Sequence, residues 1–185
     1  EYDIRDYRDY WATPEEKQNW MRDSWYDNPY LMAYEKINRR DNSKYNGMLN
    51  LTYEIKPWLK AIVRGGFDNI INSTKRHAPI GINATRDWGN TNKGYYNEKT
   101  EETFTANGDF ILTAQGKIKK FTVDGLLGGS IYYYRNKYMD AATKNGITVP
   151  GFYSLKASVA SPTIDSYLAN KQVNSLYGKI TIGYD

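Results

Sequence analysis

The chain has 185 residues, enough for one domain, and its 25 basic and 21 acidic residues leave a net charge of +4. That balance, with no basic run, argues against nucleic acid as a partner, and the absence of cysteine removes disulfides, thiolate nucleophiles and Cys-based metal sites. The mean hydropathy is −0.76 and no run approaches the roughly 20 apolar residues of a membrane helix, yet a β-barrel strand needs only about 9–11 residues, half of them apolar. Tyr (18) and Trp (5) are abundant beside 5 Phe, and aromatics with a polar tip suit boundaries between water and apolar matter. The chain opens Glu1-Tyr2-Asp3 and stops at Tyr184-Asp185 as a strand finishes. Both ends read as cuts inside a longer protein.

Residues 1–44 are polar and aromatic, with little alternation. Thr13-Pro14-Glu15-Glu16 reads as a helix start, with Thr13 capping, Pro14 in the first turn and Glu16 completing a capping box. The spacing predicts a short helix to about Trp25, ended before Asn28-Pro29 because a residue preceding proline avoids the helical region.

Five stretches then alternate apolar and polar residues, near 45–56, 58–72, 102–113, 119–134 and 173–184. The first sets Tyr45, Gly47, Leu49, Leu51, Tyr53 and Ile55 on one face and Asn46, Met48, Asn50, Thr52, Glu54 and Lys56 on the other. The others repeat the pattern around Val63 and Phe67, Phe104 and Phe110, Leu127 and Ile131, and Leu176 and Ile180. The apolar face carries a single charge, Glu102, at a strand end. The polar face carries nine: Glu54, Lys56, Lys60, Arg64, Asp68, Asp109, Lys120, Asp124 and Lys179. Lipid demands such clearance, since a charge facing it costs about 2–4 kcal/mol at the midplane. A soluble sandwich core demands nearly the same. The links decide between them. Pro57 and residues 114–118 make short links, whereas 73–101 and 135–172 make long ones, and long loops at one end only mark an up-and-down barrel. The expected fold is all-β: an antiparallel up-and-down meander within a transmembrane β-barrel, with long extracellular loops and one short loop helix.

No catalytic constellation stands out, so a non-enzyme is expected, with no cofactor and no metal. His77, the only histidine, has no partner at useful spacing. Arg64-Gly65-Gly66 and Gly128-Gly129 are not phosphate loops, because no helix follows them. The candidate ligand contacts are aromatic, amide and charged residues in the long links: Arg86, Asp87, Trp88, Asn90, Asn92, Tyr95 and Tyr96, with Tyr153 and Tyr167 in the last link. A sugar ring stacks on an aromatic face while amides and carboxylates bond its hydroxyls. Packing within the loops, or against a partner protein, would use the same residues.

Several pieces, in order along the chain, resemble the barrel of TonB-dependent outer-membrane transporters of the SusC/RagA type found in Bacteroidetes. They are Asn28-Pro29-Tyr30-Leu31-Met32-Ala33-Tyr34-Glu35, Tyr53-Glu54-Ile55-Lys56-Pro57-Trp58-Leu59, Gly66-Phe67-Asp68, Pro150-Gly151-Phe152-Tyr153-Ser154-Leu155 and Val173-Asn174-Ser175-Leu176-Tyr177-Gly178. The resemblance implies a barrel of roughly 22 strands closed by a plug, of which residues 1–185 would be one part, the plug and remaining barrel being absent. It implies residence in the bacterial outer membrane, contact with its lipid, energy from TonB acting through the plug, a SusD-type surface lipoprotein as partner, and uptake of glycans or peptides, glycans first. The turns at Pro57 and at Gln115-Gly116-Lys117 would then be periplasmic, and residues 1–44, 73–101 and 135–172 extracellular. The competing expectation is a soluble, secreted β-sandwich that binds carbohydrate.

Overall fold

The computed structural model describes residues 3–21, 26–83 and 92–184. Its main feature is one five-stranded antiparallel meander in chain order: β3 (Ile37–Lys56), β4 (Leu59–Ile80), β5 (Lys93–Ile118), β6 (Phe121–Ile147) and β7 (Ser158–Tyr184). A two-stranded antiparallel sheet, β1 (Trp11–Thr13) with β2 (Lys17–Gln18), and one short helix, α1 (Pro29–Tyr34), precede it.

The strands run well past the alternating stretches. β5 begins at Lys93, not near 102, and β6 continues to Ile147, not 134. The long links therefore shorten to 81–92 and 148–157. The reason is physical: alternation marks a strand only where its two faces meet different surroundings, and beyond the apolar face the sheet continues with polar residues on both sides. The second short turn also moves. Gln115-Gly116-Lys117 lies inside β5, and the chain reverses at Lys119-Lys120, with Lys119 in the left-handed region at φ 55°. The first turn is Pro57-Trp58, and the Trp58 carbonyl accepts from the Gln115 N–H of β5 at 2.9 Å.

The helix expected from Thr13 does not form there. Thr13 closes β1, Glu15 takes a positive φ of 61°, and Glu16 N–H donates to the Thr13 carbonyl at 3.1 Å, a turn between β1 and β2. Residues 22–25 of that expectation lie outside the described residues. The helix starts where its end was expected. Asn28, extended at ψ 128° as a residue before proline prefers, is the N-cap of α1, its side chain accepting from Tyr30 N–H, and Pro29 follows in the first turn.

The chain divides into two compact units. The first comprises Glu1–Asn42, Asn72–Glu101 and Tyr138–Tyr167 and holds a small core: Leu31 of α1, Ala78 of β4 and Ile82, with Tyr10, Trp11 and Tyr95 packed on it. A buried polar knot joins its segments. Asn28, fully buried, donates its main-chain N–H to Gln18 Oε1 at 2.8 Å and donates from Nδ2 to the carbonyls of Tyr7 (2.9 Å) and Asn19 (2.8 Å). Gln18 Nε2 in turn donates to Asp27 Oδ1 (2.6 Å) and the Gly81 carbonyl (3.1 Å). Every polar atom of the Asn28 side chain is thus used, as a buried amide requires. The second unit comprises Ser43–Ile71, Glu102–Lys137 and Leu168–Asp185, and consists of one part of each of the five long strands with both two-residue turns.

Candidate functional site: an exposed apolar face with aromatic ends

In the second unit the strands alternate as their sequence requires, and the apolar face lies bare. Leu49 and Leu51 of β3 are 57% and 56% exposed, and Leu176 and Ile180 of β7 82% and 75%. Those are edge strands. The deciding values come from the inner strands, where Val63, Phe110, Leu127 and Ile131 still expose 45–55% of their surface. Nothing among the described residues covers this face. A water-exposed apolar patch running across five strands is far larger than a soluble monomer tolerates, and marks contact with apolar material.

Aromatic residues close both ends of the face. At one end Phe67, Phe104 and Tyr133 form a row across β4, β5 and β6, with ring centroids 6.5 Å and 6.2 Å apart. The Tyr133 hydroxyl meets Asn170 Oδ1 of β7 at 3.3 Å. Directly beyond stands the first ion pair on this face: Arg135 Nη2 donates to Glu102 Oε1 at 2.9 Å, and the guanidinium lies 5.7 Å from the Phe104 centroid. At the other end Phe121 and Tyr184 sit 5.2 Å apart, with Lys120 Nζ 5.9 Å over Tyr184. Trp58 stands 54% exposed at the neighbouring turn. Amphipathic rings with cations at their outer side are suited to the border between an apolar layer and water. Tyr53, Trp58 and Tyr133 belong to the polar-tipped aromatics that the composition points to for such a border. Phe67, Phe104, Phe121 and Tyr184 are missed, although all but Phe67 stand at or near the end of an alternating run.

The opposite face is polar and several of its charges are paired: Arg64 with Asp109 (3.3 Å), Lys44 with Asp68 (3.6 Å) and Lys60 with Glu54 (2.7 Å). Exposed pairs contribute little stability. Their significance is that both signs sit on one face, as a wetted wall permits. Close packing on this face centres on Gly128, where a Cβ would lie 2.5 Å from the Tyr177 ring.

The residues expected to hold a ligand have separate fates. Arg86, Asp87, Trp88 and Asn90 lie outside the described residues. Asn92 is exposed and just precedes β5, its carbonyl accepting from Gly81 N–H at 2.9 Å. Tyr95 and Tyr96 belong to β5 rather than to a loop. Tyr95 packs on the Leu31 core, and burial raises its pKa. Tyr96 is buried, with Thr143 Oγ1 of β6 accepting from its N–H at 2.9 Å. Tyr153 stacks on His77 at 3.9 Å. Tyr167 of β7 is half-exposed and stacks on Tyr138 at 5.8 Å. The Tyr138 hydroxyl donates to Asp165 Oδ2 at 2.7 Å, raising its pKa, and Lys99 Nζ lies 4.9 Å over its ring. The structure brings Lys99, Tyr138 and Tyr167 into one cross-strand row. No group of acidic or histidine side chains suited to a metal occurs among the described residues.

No protein-family model and no curated protein matches the chain. Solved structures do. The RagAB peptide transporter superposes on 86% of this chain with a TM-score of 0.70 at 15% identity. The RagAB peptide importer gives 0.66 at 16% identity in its open-open state and 0.68 at 13% in its closed-closed state, each over 86% of this chain. This chain has the fold of a segment of those transporters. It spans only 18% of the first and 17% of the other two.

Proposed function

We propose that the chain is a wall segment of an outer-membrane β-barrel transporter that imports nutrients. The bare apolar face of the second unit, bounded by two aromatic ends, carries this reading: it fits a hydrocarbon layer and its two interfaces. β3 alone supplies residues 43–56 to that unit, more than the roughly 9–11 a tilted strand needs to cross. The paired-charge face then lines the lumen. The two-residue turns at Pro57-Trp58 and Lys119-Lys120 are periplasmic, because barrels of this kind keep periplasmic connections short. The first unit, with the links 81–92 and 148–157, stands outside the cell.

The wider reading follows from the likeness to RagAB. The segment belongs to a longer chain with a plug coupled to TonB, and works with a surface lipoprotein of the SusD type. The cargo is a glycan or a peptide. The name of the matched transporters supports peptide, and the loop residues Arg86, Asp87, Trp88, Asn90 and Asn92 suit either through stacking and amide hydrogen bonds. The chain itself does no chemistry. A soluble carbohydrate-binding sandwich is the competing reading, and the uncovered apolar face speaks against it.

Solubility separates the two. Residues 1–185 expressed without detergent are expected to aggregate, because five strands alone leave two open edges and an apolar face in water. A monodisperse monomer with a sharp cooperative melt in plain buffer would favour the sandwich.

A further inference from the structure

We infer that His77 and Tyr153 form a pH-sensitive latch that holds the 148–157 segment against β4 and α1, closed at neutral pH and loosened in mild acid. The segment is a closed loop. Thr148 N–H and Oγ1 both donate to the Ala157 carbonyl, at 2.7 and 3.1 Å, and so pinch its neck. From this neck Tyr153 reaches β4, where its ring stacks on the His77 imidazole with centroids 3.9 Å apart and planes 24° from parallel. Both rings are half-buried.

The protonation state of His77 decides the strength of this contact. One ring nitrogen bonds the Glu35 main chain at the C-cap of α1. The other, Nδ1, is sealed from solvent and has no hydrogen-bond partner among the described residues. Neutral imidazole suits that site, since Nδ1 then carries a lone pair and no hydrogen. Imidazolium would place a buried N–H there with no acceptor, which disfavours the charged form. Two effects oppose this. A cation over the Tyr153 ring would gain some attraction to the ring face. The Glu35 carboxylate also favours the charged form, although it is held by the Tyr10 hydroxyl, which donates to Oε1 at 2.9 Å. Tyr153 itself faces Glu35 from α1 and Glu15 from the β1–β2 turn, and burial keeps its phenol protonated. Burial outweighs the attraction of Glu35, and the His77 pKa lies below its ordinary value. A depressed histidine pKa means that the closed state binds the proton less well than the open one. Closure is therefore fully present above about pH 6.5 and is lost as the pH falls below it.

Hydrogen–deuterium exchange on the intact protein tests this, in detergent or in buffer as its solubility dictates, so the outcome does not depend on the membrane reading. Exchange is followed in residues 148–157 between about pH 8 and about pH 5, corrected for intrinsic rates, with β6 as internal reference. The wild type should lose about tenfold in protection across the acid half of that range. His77→Phe keeps a ring for the stack but cannot titrate, so its protection should stay flat. Should that variant fail to fold, His77→Asn, which also cannot titrate, should likewise give a flat profile. A flat wild-type profile, or the wild-type step surviving in either variant, overturns the latch.

Discussion

The ring of Phe67 occupies the space that a side chain on Gly47 would need: a Cβ there would lie 2.7 Å from Phe67 Cε1. The two residues face each other across β3 and β4 on the apolar face, and Phe67 continues into the row with Phe104 and Tyr133. A glycine inside a strand thus has a packing reason, close approach by an aromatic ring. Gly47→Val, favourable by strand propensity alone, should cost about 1–3 kcal/mol by overpacking. The same change in a Phe67→Ala background should cost less, because the obstructing ring is gone. Denaturant titration of the folded barrel in detergent measures both. Equal costs in the two backgrounds would mean the ring does not set the glycine requirement.

Adjacent residues on β3 test the face assignment. Leu51 is exposed on the apolar face near mid-strand, and Leu51→Arg should block assembly, at a cost of about 2–4 kcal/mol. Thr52→Arg faces the paired charges and should be milder. Heat-modifiable gel mobility of the intact protein reads both. Equal damage removes the basis for assigning the faces.

The first unit depends on Asn28. Asn28→Ala removes the α1 N-cap and the Nδ2 bonds to the Tyr7 and Asn19 carbonyls, and should cost about 3 kcal/mol locally. Hydrogen exchange should rise in residues 26–34 while the β3–β4 strand parts of the second unit keep their protection. Unchanged exchange around α1 would show that the knot is not what holds the helix.

Topology can be read with single cysteines, since the sequence has none of its own. Asn145, exposed near the end of β6, should react with a membrane-impermeant thiol reagent on intact cells. Lys120, in the turn that precedes that strand, should react only after the outer membrane is opened. The reverse pattern would invert the orientation.

The sequence shows the fold wherever the two faces of a strand meet different media. From Tyr45 to Ile55 the alternation is broken only at Met48, and it locates the strand and its apolar face. From Lys93 to Glu101 it fades, because both faces are polar or packed on other segments, and a strand there reads as a loop. Asn28-Pro29 was legible as a helix boundary but not as a beginning, since proline is compatible with both and the Gln18 contact that fixes the cap is ten residues away. The ligand candidates rest on residue type alone. Tyr96 illustrates the limit of that, because burial beside Thr143 depends on cross-strand pairing that no local spacing reveals.

The central claim is that one face of the second unit lies in lipid and the other in water. A nitroxide scan along β3, at successive positions from 45 to 55 in the intact protein in bilayers, tests it most directly. Collision with oxygen, which concentrates in lipid, should peak at the odd positions, and collision with a water-soluble nickel chelate at the even ones, a period of about two residues. Nickel access at Leu49 and Leu51 as high as at Asn50 and Thr52 would contradict the account.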